Sequence, residues 1–111
     1  RGGRGKELSA SERKKMNRME RELEINGRSV LKRVEGGEGM VMLTSEALYL
    51  LYLKSGVRTL QLDDIVGVER EGAYIEIYVQ DKEQPFRISL DAFPFQELME
   101  LLDDVSKLLG L

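Results

Sequence analysis

From residue 29 onward, apolar and polar residues alternate with a period of two, which predicts β-strands. Seven such runs follow one another, at residues 29–35, 39–44, 47–53, 57–62, 65–70, 73–80 and 85–90. The links between them are brief and rich in turn-forming residues, such as Gly36-Gly37-Glu38 and Asp63-Asp64. Because links this short join antiparallel neighbours, the pattern predicts a meander of seven strands.

The alternation also predicts which strand faces are buried. In the run 73–80, the isoleucines belong to the dry face, while Tyr74, Glu76 and Tyr78 belong to the face in water. The run 47–53 is apolar on both faces. We expect this strand to be covered on both sides, or to hold its two tyrosines at a rim with their hydroxyls in water.

The period changes near the N-terminus, where residues 10–24 are predicted to form a helix. Ser9 followed by Glu12 fits a capping box at the start of this helix, and Asn26-Gly27 is expected to end it. Its apolar residues form a narrow stripe of Met16, Met19 and Leu23. A stripe this narrow can dock on a domain edge or pair with another helix, but it cannot build a core.

A second helix is predicted at residues 93–109, entered through Asp91 and Pro94 and stopped by Gly110. Its apolar face is broad and comprises Phe95, Leu98, Met99, Leu101, Leu102, Val105, Leu108 and Leu109. Each side chain that such a helix buries completely contributes about 1.5–3 kcal/mol before the entropy cost of ordering. Docking of this helix is therefore expected to be a major contribution to folding.

Seven short strands followed by one amphipathic helix is the order of elements in the pleckstrin-homology (PH) superfold. The segments Gly39-Met-Val-Met-Leu-Thr44, Ala47-Leu-Tyr-Leu-Leu51 and Leu60-Gln-Leu-Asp-Asp-Ile-Val-Gly-Val68 resemble its bacterial PH-like, GRAM and myosin-I-tail branches. The resemblance covers residues 28–109. It implies a mainly β fold, a seven-stranded antiparallel barrel or sandwich capped by the C-terminal helix, with the N-terminal helix as an addition.

The resemblance also implies where a ligand would bind. Lipid-binding relatives hold an inositol phosphate with basic residues of the first strands and the next hairpin, and here Lys32, Arg33, Lys54 and Arg58 match that pattern. The framing loops would be residues 35–39, 54–57 and 80–85. Departures from the pattern weigh against a phosphate ligand: Glu35 and Glu38 would repel it, and Met40 and Met42 stand where a cation would be wanted.

Composition argues against catalysis. The chain has no cysteine and no histidine, so thiolate metal sites, disulfides and histidine acid–base chemistry are excluded. The adjacent carboxylates Asp63-Asp64 and Asp103-Asp104 have structural explanations, in a turn and on the polar face of a helix. We expect no enzymatic activity, no cofactor and no bound metal.

Charge divides the 111-residue chain in two. Residues 1–33 carry a net charge of +6 and residues 34–111 carry −9, which together give −3. Glutamates dilute the basic residues of the first helix, which has no aromatic side chain for stacking, so we do not expect nucleic acid as a partner. We expect a flexible arm at 1–8, a basic helix and turn at 9–27 and the PH-like domain at 28–111, cut from a longer polypeptide because the chain begins with Arg1.

These observations predict a non-catalytic adaptor, scaffold or targeting domain that binds a protein partner or another region of its parent chain. The alternative is a membrane-surface module that binds anionic lipid through the four basic residues named above. The lack of cysteine favours the cytoplasm as location, at the membrane periphery under the alternative. The oligomeric state and the docking of the first helix stay open.

Overall fold

The computed structural model of the chain describes residues 8–24 and 29–110. Two helices and seven strands follow in the order α1 (Ala10–Glu22), β1 (Val30–Glu35), β2 (Gly39–Thr44), β3 (Ala47–Tyr52), β4 (Gly56–Gln61), β5 (Ile65–Glu71), β6 (Tyr74–Val79), β7 (Phe86–Ser89) and α2 (Phe95–Leu109). The predicted seven antiparallel strands, C-terminal helix and N-terminal helix are thereby confirmed. The predicted stop at Asn26-Gly27 and residues 1–7 of the predicted arm lie outside the described residues.

The strands form two antiparallel sheets rather than one meander. The first sheet has the order β1-β2-β3-β4 and the second has the order β5-β6-β7. A single 3₁₀ turn, Leu62–Asp64, separates them. The prediction that Asp63-Asp64 joins antiparallel neighbours is therefore wrong, because the turn carries the chain from one sheet to the other. Leu62 anchors this turn in the core, where it is 6% exposed.

The main core lies between the inner faces of the two sheets, as period-two alternation requires. The sheets contribute mostly aliphatic side chains, among them Val34, Val41, Leu43, Leu48, Leu50, Ile75, Ile77 and Ile88. Helix α2 closes this core with Leu98, Leu101, Leu102 and Val105. The arrangement is a mainly β sandwich with a capping helix.

Helix α2 begins two residues later than the predicted position 93. Phe93 is extended, with φ −134° and ψ 157°, and its side chain is completely buried in the core. Phe95, predicted to lie on the buried face, is 47% exposed, and the guanidinium of Arg70 lies 5.5 Å from its ring centroid. Gly110 ends the helix in the left-handed region at φ 77°, as the sequence predicts.

Helix α1 packs on the outer face of the first sheet. The predicted capping box is present, with the Ser9 hydroxyl accepting from the N–H of Glu12 and the Glu12 carboxylate accepting from the N–H of Ser9. Met16 is 1% exposed and forms a second apolar cluster with Met40, Met42 and Leu51. The first sheet is thus covered on both faces, which accounts for the apolar residues on both faces of β3.

Candidate functional site

Lys32 and Arg33, the neighbouring cations of β1, point to opposite faces of the first sheet. Nζ of Lys32 lies 3.2 Å from Oε1 of Glu100 in α2. Arg33 forms an ion pair with Glu20 of α1 on the other face. Successive side chains of a strand alternate between its faces, so the two cations diverge. The fold does not bring them together, and each faces a carboxylate.

Lys54 and Arg58 belong to the hairpin of β3 and β4, and both are exposed. Lys54 lies in the turn, and Arg58 pairs across the strands with Leu50. Since β1 and β4 are the two edges of the first sheet, three strand spacings, roughly 14 Å, separate Arg58 from the cations of β1. The four basic residues therefore do not form one cluster around a phosphate-sized ligand.

Lys54 instead borders a cleft of about 300 Å³ at the loop end of the first sheet. The cleft is lined by Glu12, Gly37, Glu38, Tyr52, Leu53, Lys54 and Ser55. Two carboxylates and one ammonium give this lining a net negative charge. A phosphate in the cleft would meet Coulombic repulsion only partly screened by salt.

The environment of Tyr52 shows that this cleft is partly buried and negatively charged. Burial, and secondarily the negative charge of Glu38, raises the pKa of the Tyr52 phenol to about 12. Its ring meets Phe93 edge-on, with centroids 6.5 Å apart. The phenol thus lies beside a carboxylate in a place that disfavours further negative charge.

Helix α1 forms one wall of the same region. Nζ of Lys15 donates to the carbonyl oxygen of Leu53 at 2.7 Å, and Nη1 of Arg13 lies 2.8 Å from Oε1 of Glu35. The basic residues of α1 thus neutralise acceptors at the loop end of the sheet. Glu35, which the sequence placed in the framing loop, is already paired.

The outer face of the second sheet carries a second polar cluster, around Glu76. The sequence predicted this residue on a face in water, yet Glu76 is only 7% exposed. Its two oxygens accept from the Tyr78 hydroxyl at 2.8 Å and from Nε of Arg87 at 3.0 Å. The guanidinium of Arg87 also lies 5.4 Å from the Tyr74 ring centroid. Side-chain packing on an outer sheet face, which strand alternation does not report, buries this carboxylate.

The Glu76 cluster links β6 to β7, because Arg87 of β7 donates to Glu76 of β6. The hydrogen bond to Glu76, followed by partial burial and the charges of the glutamates nearby, raises the pKa of the Tyr78 phenol. Both carboxylate oxygens have partners, and no buried side-chain polar atom of the described residues lacks one. The polar groups of the cluster thus bond to each other and stabilise the pairing of neighbouring strands.

The side of β5 that faces away from β6 is more open to solvent than the Glu76 cluster. Within residues 8–24 and 29–110, β5 pairs with β6 alone. Val66 of this strand is 63% exposed, more than any other large apolar side chain described. Helix α2 contacts the 3₁₀ turn at the start of β5, and its first residue, Phe95, meets Arg70 near the end of β5. Apolar side chains are therefore exposed on β5, at Val66, and at the start of α2, at Phe95.

The residues described contain no group of three or more carboxylates close enough to hold a metal ion. Asp103 of the pair Asp103-Asp104 instead faces Lys107, one helical turn away, at 3.1 Å. In the same part of the chain, neither helix has the length and apolar content needed to cross a membrane.

Comparison with known proteins found no match to a protein-family model, to a curated protein or to a solved structure.

The surface beneath α1 was missed by reasoning from the sequence. Met40 and Met42 were noted only for lacking the charge of a phosphate site, whereas the structure shows that they pack against α1. The signal was present in β2, whose residues are apolar at both alternating positions and are all buried. A strand apolar on both faces, preceded by a helix with a narrow apolar stripe, indicates that the helix covers one of those faces.

Proposed function

We propose that the chain is a non-catalytic, PH-like adaptor or targeting domain that docks a segment of another protein or of its own parent polypeptide. The observation that carries the proposal is the edge of β5, which among the described residues pairs with β6 alone, together with the exposed side chains of Val66 (63%) and Phe95 (47%). An unpaired edge accepts an added strand through main-chain hydrogen bonds, and the exposed side chains of Val66 and Phe95 offer apolar contacts to that strand. The 4 + 3 strand order with a closing C-terminal helix supports the PH-like assignment.

The membrane-surface alternative has less support. It requires Lys32, Arg33, Lys54 and Arg58 to act on one anionic surface, whereas the first two diverge and pair with Glu100 and Glu20. The cleft beside Lys54 is lined by two carboxylates. Under the preferred function the domain acts in the cytoplasm, without lipid, metal or cofactor.

Site-specific crosslinking tests the proposed docking edge. A photoreactive amino acid at Val66 should capture a protein, and the same group at the exposed Asn17 of α1 serves as the matched control. The captured protein is then purified and titrated against two variants. We expect Val66→Lys to weaken binding at least tenfold, about 1.4 kcal/mol, and Asn17→Lys to leave it unchanged. Equal affinities for the two variants would remove β5 as the docking edge.

Vesicle sedimentation decides the alternative. Vesicles with and without phosphatidylserine are spun with the wild type and with the double variant Lys32→Glu, Arg33→Glu. We expect no sedimentation at low salt. Sedimentation that needs the anionic lipid, falls with salt and disappears in the double variant would favour the membrane function.

A further inference from the structure

Helix α1 is held on the first sheet by few apolar contacts. Among its side chains Met16 alone is completely buried, and most of the others are exposed. Met19 is partly buried, as are Leu8 and Leu23 on either side of the helix. A helix with so narrow a buried stripe depends on one principal anchor.

The polar contacts around that anchor are open to solvent. In the Arg13–Glu35 pair the side chains are 49% and 36% exposed, and in the Arg33–Glu20 pair they are 41% and 26% exposed. Ion pairs this exposed are screened by salt and contribute little to stability. These ion pairs orient α1 on the sheet but contribute little to the free energy that holds it there.

The surface beneath α1 is far more apolar than the helix itself. Met40, Met42 and Leu51, here called the methionine face, are at most 1% exposed, and Tyr49 and Val57 pack at its margin. The face belongs to β2, β3 and β4, whose backbone pairing and main core are formed without α1. Methionine side chains are flexible and accommodate different partners, so such a face can accept more than one helix.

We infer that the methionine face is a helix-binding site, which α1 occupies within the chain and from which an amphipathic helix of a partner protein displaces it. The positions of α1 define the chemistry of that partner. The partner helix has apolar residues at the places of Met16, Met19 and Leu23. It has a basic residue three positions before the place of Met16 and an acidic residue four positions after that place. These charges meet Glu35 and Arg33, as Arg13 and Glu20 do here.

The inference rests on the proposed function for the existence of a partner, but it concerns a different surface and a different kind of segment. The β5 edge would take an extended strand, whereas the methionine face takes a helix. A partner helix with a broader apolar stripe than α1 would bury more apolar surface on the methionine face and would therefore displace α1.

Displacement is tested with a labelled peptide of residues 8–24 and the full chain. The substitution Met16→Glu places a charge at the anchor and releases α1, and Asn17→Glu adds the same charge on its exposed side as the matched control. Fluorescence anisotropy should show Met16→Glu binding the peptide at least tenfold more tightly than wild type or Asn17→Glu. A peptide that itself carries Met16→Glu should not bind.

Hydrogen exchange of the wild-type chain provides a second measurement that needs no substitution. We expect the amides of α1 to exchange at least tenfold faster than those of β2 and β3, because the helix detaches without unfolding the sandwich. Equal rates, or a Met16→Glu chain that does not fold, would mean that α1 is an integral part of the fold, and would overturn the inference.

Two further outcomes would also overturn it. A folded Met16→Glu chain that does not bind the peptide would show that the face accepts no helix from outside. A wild-type chain of doubled mass that becomes monomeric with Met16→Glu would assign the face to a second copy. Because the peptide assay uses neither Val66 nor a cellular partner, failure of the β5 edge proposal leaves its result unaffected.

Discussion

Replacing Gly36 with alanine tests how tightly the loop between β1 and β2 is held. Gly36 is buried, and its N–H donates to the carbonyl oxygen of Gly39 at 2.9 Å. A Cβ at this position would lie 2.8 Å from Cδ1 of Phe93 and 3.0 Å from the carbonyl carbon of Ala92, and closer still to the oxygen of that carbonyl. The neighbour is mostly main chain, which cannot rotate out of the way.

The size of the effect follows from those distances. Carbon–carbon contacts are optimal at about 3.5–4.0 Å, so one of the two segments would have to move by about 1 Å. Overpacking of this kind typically costs about 1–3 kcal/mol, and a main-chain neighbour places Gly36→Ala at the upper end. For a domain of this size, about 3 kcal/mol lowers the melting temperature by on the order of 10–20 °C.

Gly67 offers a matched control on β5. It has no heavy atom within 4 Å of its would-be Cβ, and its φ lies outside the left-handed region. Where alanine fits, replacing glycine restricts the unfolded chain and stabilises by about 0.4–1 kcal/mol. Gly36→Ala and Gly67→Ala are thus expected to change the free energy of unfolding in opposite directions.

Urea unfolding followed by circular dichroism measures both variants under the same conditions. The midpoint should fall for Gly36→Ala at an unchanged denaturant slope, because the same surface is exposed on unfolding. Stabilities of the two variants within about 0.5 kcal/mol of each other would refute close packing of the loop against the entry to α2.

Three further predictions concern the core, the cleft and the outer sheet face. Leu101→Ala, which removes a completely buried side chain of α2, should cost about 2–5 kcal/mol in urea unfolding, while Leu108→Ala, at a residue 46% exposed, should change stability little. The folded-state pKa of Tyr52, about 12, lies above the ordinary value of 10.0, so its contribution to stability is complete below pH 10 and is lost as the pH rises to 12. That loss reaches about 2 kcal/mol by pH 12, and wild type should show it against Tyr52→Phe in urea unfolding across this range; identical pH profiles would contradict it. Glu76→Gln removes the charge that accepts from the Tyr78 hydroxyl and should lower the pKa of that phenol, seen by ultraviolet titration as an earlier ionisation of one tyrosine; an unchanged titration would show that the contact does not form in solution.

Most of the strands and helices could be predicted from the sequence because their signals are local. The bounds of β2 are those predicted, and the start of α1 follows from the capping box of Ser9 and Glu12. Turn residues and alternation act over two to four positions, so a single chain displays them. The start of α2 was missed because Phe93, although apolar like the helix face, is buried in extended conformation.

The candidate site could be predicted far less well. Lys32 and Arg33 matched the basic positions that the resemblance to lipid-binding PH domains implies, yet a strand sends adjacent side chains to opposite faces. Their partners, Glu100 and Glu20, lie 68 and 13 residues away. Long-range pairing of this kind leaves no periodic signal in a single sequence.

Several features follow from the amino-acid sequence alone: the number and order of the strands, the amphipathic α2, the division of charge and the absence of histidine and cysteine chemistry. Each of these depends on residue type or on spacing within a few positions. Three others became visible only in the folded chain: the strands divide into two sheets at Leu62–Asp64, α1 covers Met40 and Met42, and Glu76 is buried. These three features depend on which distant surfaces exclude water from each other, and that is settled when the whole chain packs.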